Sequence, residues 1–366
     1  MLKDPGPRQR GTLAQAVSLG WLLLAAASGT SGAIAQVSGV RLGVRLEVAE
    51  RTSLRTSIEA PHLSRFTTSK VGFCADGNAA LVVDQEHWRV LRLASGESGR
   101  VEIPAVAGQV VCVLECAVPT HVVVLVQDEK GRRTVVVDTQ RREIVGRKEL
   151  SSGPDPGSFL IPISDPGERV ALLDQELGVV WSFRADEGAL ERIVDVTEGN
   201  FHSACWASGK WWILSAEIGY PNRGPRTSVV WRSEGAGRAT KHCDIPDAGS
   251  LHGAGDSVWC CGDALWRVAV EKGIAEKVPS VGGPLVFGAP DRSMVLLLDG
   301  ANAQAMRVAT GELLGGTQLG CESQRVVVSS RGRWCALCNR GFVQFAEIDW
   351  LAKEPGVPGK QAERAK

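Results

Sequence analysis

One pattern constrains this chain more than any other: an apolar strand end, a tight polar turn and a solid apolar strand recur along its length. FCADGNAALVVDQ at 73–85, PISDPGERVALLDQ at 162–175, FGAPDRSMVLLLDG at 287–300 and VVSSRGRWCALCNR at 327–340 all follow this plan. Ser, Asp, Gly and Pro sit at the turns, each for its own steric or hydrogen-bonding reason, so the punctuation has a mechanism. Third strands read WRVLRLASG at 88–96, VVWSFRADEG at 179–188, ALWRVAVEKG at 264–273 and AQAMRVATGE at 303–312, each carrying Gly at its end. The apolar runs are short and rich in Val, Leu and Trp, as buried strands are, and helical periodicity is nearly absent beyond the first segment of the chain.

Looser copies begin near Val111, Phe201 and Leu251. With Phe73, Leu160, Val286 and Val326 they give seven starts spaced by about 42 residues, the period of four-stranded units arranged radially. The expectation is an all-β chain, a β-propeller of about seven four-stranded blades over 70–350. In architecture this segment resembles WD-repeat-like and quinoprotein-type propellers, although the Gly-His and Trp-Asp dipeptides of WD repeats are absent. Trp88, Trp181, Trp231 and Trp266, near the starts of third strands, read as packing residues between blades.

The last repeat supplies only three strands, at 325–329, 334–338 and 342–350. VRLGVRLEV at 40–48 alternates, with Leu42, Val44, Leu46 and Val48 on one face and Arg41, Arg45 and Glu47 on the other. It has no hairpin partner nearby. It is expected to complete the last blade and so remove an open edge. The region 36–69 thus reads as strand plus linker, and 351–366, with its Pro, Gly and charged residues, as a disordered polar tail.

Residues 1–35 stand apart. Lys3, Arg8 and Arg10 precede an apolar stretch that begins at Leu13, and Ala33-Ile34-Ala35 precedes Gln36. Basic start, apolar centre and A-x-A site form the order of a cleavable signal peptide, so export to periplasm, cell surface or medium is expected. An uncleaved membrane anchor is the competing reading. Cleavage removes three basic groups and one acidic from 41 of each, leaving 38 against 40. That near-neutral balance argues against a nucleic-acid ligand. No later stretch approaches the roughly 18 unbroken apolar residues of a membrane span.

Ten cysteines in an exported chain invite disulfides, but strand geometry restricts them. Cys335 and Cys338 face opposite sides of one strand about 10 Å apart, and Cys112 and Cys116 lie about 13 Å apart. Bridges between strands or blades, one to three at most, are what remains. Trp334-Cys335-Ala336-Leu337-Cys338 looks like a thioredoxin redox motif, but lies in an apolar strand rather than at the helix N-terminus that lowers a thiol pKa. It also lacks the second ligand pair of a zinc site.

Two features bear on binding. The turns between second and third strands carry Asp84-Gln85-Glu86, Asp128-Glu129, Asp174-Gln175-Glu176, Glu217, Asp263 and Asp299, all expected on one face. Such a rim would attract cationic ligands or hold Ca²⁺ through oxygen atoms, against the simpler account that Asp favours tight turns. The seventh equivalent, Asn339-Arg340-Gly341, breaks the pattern. The longest turn of this set, SAEIGYPNRGPRTS at 215–228, contains the one tyrosine, Tyr220, with Asn222, Arg223 and Arg226. Rigid scaffolds place recognition on such loops, though an insertion without a role would look alike.

The candidate binding residues are therefore Tyr220, Asn222, Arg223, Arg226, Asp84, Glu86, Asp174, Glu176 and Asp299. Six histidines show no metal-binding spacing; His202 and His252, near first strands, are the ones a central channel would gather. Nucleophile-elbow, P-loop and dinucleotide fingerprints are missing. The favoured function is an exported, non-catalytic binding or scaffold propeller with a protein or carbohydrate ligand and no required cofactor. The alternative is a propeller hydrolase or lactonase with a metal near the channel mouth.

Overall fold

The computed structural model describes residues 40–47 and 70–348, apart from 85–86, 102–107, 151–152, 156–157, 159, 165–166, 175, 196–199, 217–226, 236, 247, 255–256, 279–284, 289–293, 300–301, 308–309, 319–324 and 339–341. The proposed signal segment 1–35 and tail 351–366 lie outside the described residues. Among those described, no helix is long and apolar enough to cross a membrane.

The chain is an all-β propeller. Strand β1 is Val40–Glu47. Six sheets then follow in chain order, each a run of four strands in sequence. The first holds β2 (Lys70–Phe73), β3 (Ala79–Val83), β4 (Trp88–Arg92) and β5 (Ser98–Arg100). The second holds β6 (Gln109–Glu115), β7 (His121–Asp128), β8 (Gly131–Asp138) and β9 (Glu143–Glu149). The third holds β10 (Leu160–Pro162), β11 (Arg169–Asp174), β12 (Val179–Arg184) and β13 (Leu190–Asp195). The fourth holds β14 (Asn200–Ala207), β15 (Lys210–Ala216), β16 (Thr227–Gly235) and β17 (Arg238–Pro246). The fifth holds β18 (Ala248–Ala254), β19 (Ser257–Gly262), β20 (Leu265–Ala269) and β21 (Ile274–Lys277). The sixth holds β22 (Leu285–Gly288), β23 (Met294–Asp299), β24 (Asn302–Arg307) and β25 (Leu313–Gln318).

The seventh sheet, also four-stranded, joins both ends of the described chain: β26 (Arg325–Val328), β27 (Trp334–Cys338), β28 (Phe342–Ile348) and then β1. β1 runs antiparallel to β28, from Val40 opposite Ile348 to Glu47 opposite Phe342. The N-terminal strand therefore supplies the outermost position, covering an edge that three strands would leave open. The register slips between Leu42 and Arg45, so the unbroken alternation expected over 40–48 is interrupted by a bulge. The Arg45 guanidinium lies 3.7 Å from the centre of the Phe342 ring, an exposed cation on the closing seam.

Turn chemistry follows from the sequence. After β2, Cys74 and Ala79 close the hairpin by backbone bonds, the Asp76 carboxylate accepts the Asn78 N–H at 2.9 Å, and Gly77 takes φ +70°. Ser208 and Gly209, both at positive φ (51° and 71°), make the two-residue turn between β14 and β15.

Central strands are buried on both faces, as their solid apolar runs require. AALVV of β3 and WCALC of β27 are buried throughout. Outer strands are half-wet: β9, EIVGRKE, has no fully buried residue. Their polarity hides them from a reading based on apolar runs, which recovers three strands per repeat rather than four.

Seven apolar clusters each join two consecutive sheets. Val124 and Val90 pack the first sheet on the second, and Leu125 and Leu172 the second on the third. Ala171 and Ile213 join third to fourth, and Trp212 and Cys260 fourth to fifth. Trp259 and Leu297 join fifth to sixth, and Leu298 and Leu337 sixth to seventh. The ring closes where Phe73 of the first sheet meets Phe345 of the seventh edge-on, their centroids 6.1 Å apart. Trp88, Trp181, Trp231 and Trp266 all belong to these inter-sheet contacts.

The cysteines serve the same packing. Nine are described and no disulfide joins any two of them, so the one to three disulfides expected from composition are not found among the described cysteines. Cys335 packs toward the sixth sheet and Cys338 toward the first, the opposite orientation that their spacing on a strand demands. Burial pushes the Cys74 thiol up to about 12 and that of Cys243 up to about 11. Thiols held in that way are poor nucleophiles at neutral pH.

Candidate functional site

We call upper the face that carries the turns between second and third strands, and lower the one that carries the turns between first and second. On the upper face the carboxylates of Asp84, Asp128 and Asp174 are described, and each is engaged in its own turn. Asp84 accepts the His87 N–H at 2.6 Å through Oδ1 and Arg89 Nη2 at 3.1 Å through Oδ2. Asp128 accepts the N–H groups of Lys130 and Gly131 through Oδ1, and Arg133 Nη1 at 2.7 Å through Oδ2. The bond from the Lys130 amide, with Arg133 and Gly131, holds the Asp128 carboxyl below the usual range. In both hairpins the arginine stands five residues after the aspartate, across the first rungs of the third strand.

Asp174 breaks the pairing rule. Its Oδ1 accepts the N–H groups of Glu176 and Leu177, each at 3.1 Å, but the fifth residue on is Val179. Its Oδ2 is buried with no hydrogen-bond partner among the described residues, and the residue is 0% exposed. The compensating cation comes from the neighbouring sheet. Arg132, at the start of β8 and 5% exposed, lies within electrostatic range of Asp174. Its guanidinium donates to Gln127 Oε1 at 3.3 Å and to the carbonyls of Pro154 (2.8 Å), Asp155 (3.1 Å) and Ser158 (2.5 Å). Gln127 in turn donates to Ser158 O at 2.6 Å and accepts the Leu160 N–H at 3.4 Å, while Leu160 pairs with Asp174 across β10 and β11. Burial lowers the Arg132 pKa and the Asp174 charge opposes that. The cluster clamps the connection from second to third sheet against the upper face. Polar residues within apolar strands signal such a cluster, but its partners lie in different repeats.

The other residues read from sequence divide as follows. Glu176, Glu129 and Asp263 are exposed on the upper face. Asp299 ends β23 opposite Asn302. Glu86, Tyr220, Asn222, Arg223 and Arg226 lie outside the described residues. Their loop is nevertheless bounded: Ala216 of β15 pairs with Ser228 of β16, so 217–226 leaves and re-enters one sheet at adjacent points of the upper face. The Ser228 hydroxyl donates to Ala248 O at 2.9 Å, tying that root to the fifth sheet. No group of three or more His, Cys, Asp or Glu poised to hold a metal occurs among the described residues.

His252 is buried in β18, its Nε2 2.9 Å from Ser250 Oγ. His202 is partly exposed on β14. The two sit on neighbouring innermost strands, which also exchange the bond from Leu251 N–H to Ser203 Oγ at 2.8 Å. On the lower face, Trp206 is 40% exposed, with the Arg169 guanidinium 4.3 Å from its ring centre and Trp211 packed edge-on at 5.4 Å. Glu115, at the lower end of β6, is buried and accepts a 2.5 Å bond from Ser330 Oγ of the seventh sheet.

No family model matches this chain, and no curated protein matches it either. Among solved structures, one described as "Structure of Dos1 propeller" is similar, with a TM-score of 0.52 and 11% identity over 77% of each chain. At that identity the likeness speaks for architecture alone, so what the chain shares with known structures is the β-propeller fold.

Proposed function

We propose that this chain is an exported, non-catalytic binding or scaffold propeller that presents its upper-face loops to a protein or carbohydrate. One observation carries the reading most directly. The longest of the turns between second and third strands, 217–226, springs from two paired strands of one sheet, on the face whose other turns are locked by their own aspartates. A rigid base that carries a long polar loop is how scaffolds hold recognition residues. Tyr220 supplies a flat amphipathic ring, Asn222 a paired donor and acceptor, and Arg223 and Arg226 planar donors for carboxylate or hydroxyl-rich ligands. Export rests on the order of features in 1–35.

The test compares the tagged, secreted protein with a variant in which 217–226 is replaced by a short Gly-Ser linker. Crosslinked capture and a glycan array are the two readouts. A stoichiometric protein or a defined glycan lost with the loop supports the proposal. Equal capture by both forms would move the binding surface elsewhere, and turnover in a hydrolase screen would overturn the non-catalytic reading.

A further inference from the structure

Glu115 is an acid that the upper-face reading does not use. It ends the innermost strand β6 at the lower mouth of the ring and is 6% exposed. Four sheets meet around it. Its N–H donates to Gly167 O of the third sheet at 3.1 Å, and its Oε1 accepts Ser330 Oγ of the seventh at 2.5 Å. The first sheet reaches the second beside it, Asp76 N–H donating to Pro119 O at 3.2 Å. Among the described residues, the ionisable groups facing the carboxyl are the Cys74 thiol from the first sheet, Glu168 from the third and Arg331 from the seventh. Ser330 sits in a well-braced turn: Ser329 N–H donates to Trp334 O, Gly332 N–H to Ser329 O, and Trp334 N–H to Ser329 Oγ.

We propose that Glu115 and Ser330 form a proton-operated latch that ties the seventh sheet to the second across the lower mouth of the ring. The bond joins residues 215 positions apart and skips the first sheet, so it braces the ring at the seam where the chain's two ends meet. Burial pushes the Glu115 carboxyl above its ordinary range; the hydroxyl and backbone of Ser330 oppose this, Glu168 adds to it, and Arg331 opposes it. A carboxyl whose folded pKa is raised favours the folded arrangement when protonated. The latch is therefore tightest at low pH and loosens as pH rises through the folded pKa, when a buried anion faces Glu168.

Hydrogen exchange on the full chain, read by mass spectrometry over 110–118 and 326–334 and corrected for intrinsic rates, tests this. Protection is expected to fall roughly tenfold between about pH 5 and about pH 8. Glu115→Gln keeps an acceptor for Ser330 and removes the titration, so its protection should be independent of pH. Ser330→Ala removes a bond that favours the ionised form, and its midpoint should move to higher pH. A flat wild-type profile, or a Glu115→Gln variant with the wild-type slope, overturns the latch. Should Glu115→Gln fail to fold, a Ser330→Ala midpoint that stays put or moves down overturns it equally.

Discussion

Asp128 and Asp174 take the same step in consecutive sheets, yet their carboxylates live in different worlds. Each ends a second strand and caps two amides of a tight turn, those two and three residues on. Asp128 then finds Arg133 on its own hairpin, partly exposed, whereas Asp174 is sealed in with Arg132 of the sheet before within electrostatic range. Arg132 and Arg133 are neighbours in sequence and point to opposite faces of β8, so one strand serves both aspartates. The lesson is that a repeated turn residue can carry local or inter-sheet structure, depending on what stands five residues later.

Breaking the inter-sheet half should have the largest effect. Arg132→Met removes the cation within electrostatic range of the buried Asp174 and takes the guanidinium from the Pro154 carbonyl, while Asp155 O keeps the Ser158 N–H and Ser158 O keeps Gln127 Nε2. A loss of about 3–5 kcal/mol in urea unfolding is expected. A loss under about 1 kcal/mol would mean that the cluster is not holding the second sheet to the third.

Asp174→Asn should be milder. Its Oδ1 still caps the turn, and the Arg132 guanidinium keeps Gln127 and the three carbonyls, so stability should stay within about 1 kcal/mol of wild type. In that background Arg132→Met no longer strands an anion, and its effect should shrink by about 1 kcal/mol or more. Strict additivity in the double-mutant cycle would show that the two charges do not sense each other.

The smallest change is expected at the surface pair. Asp128→Ala removes one turn cap and a partly exposed ion pair, and its effect on unfolding should fall well below that of Arg132→Met. Since the folded carboxyl titrates lower than the unfolded one, its contribution is present above the unfolded pKa. It is lost as pH falls through the folded value. Wild type and variant should therefore converge in acid. Raising salt should narrow the gap at neutral pH but leave that of Arg132→Met nearly intact.

Much of the architecture was legible in the residues. Apolar runs and Asp-Gly turns mark the second strands, and the spare alternating strand near residue 40 finds its place against β28. The turn reading of Asp84 and Asp128 is visible in their position and in the arginines that follow. Outer strands such as EIVGRKE escaped, because a strand with one wet side and a bulge has no apolar run to announce it. The slip in β1 escaped as well, since register is settled by the partner strand and not by alternation alone.

What the sequence by itself determined is local: strand and turn alternation, a period near that of four-stranded units, and the opposite facing of Cys335 and Cys338. Each depends on steric preferences acting over a few residues. Only the tertiary structure decided which polar groups meet. Arg132 comes within electrostatic range of Asp174 of the next repeat, and Ser330 reaches Glu115 across 215 positions. Those pairings depend on ring closure and on how each sheet face packs against the next. Burial then sets the charge behaviour of the groups it encloses, and burial belongs to the assembled ring rather than to any stretch of chain.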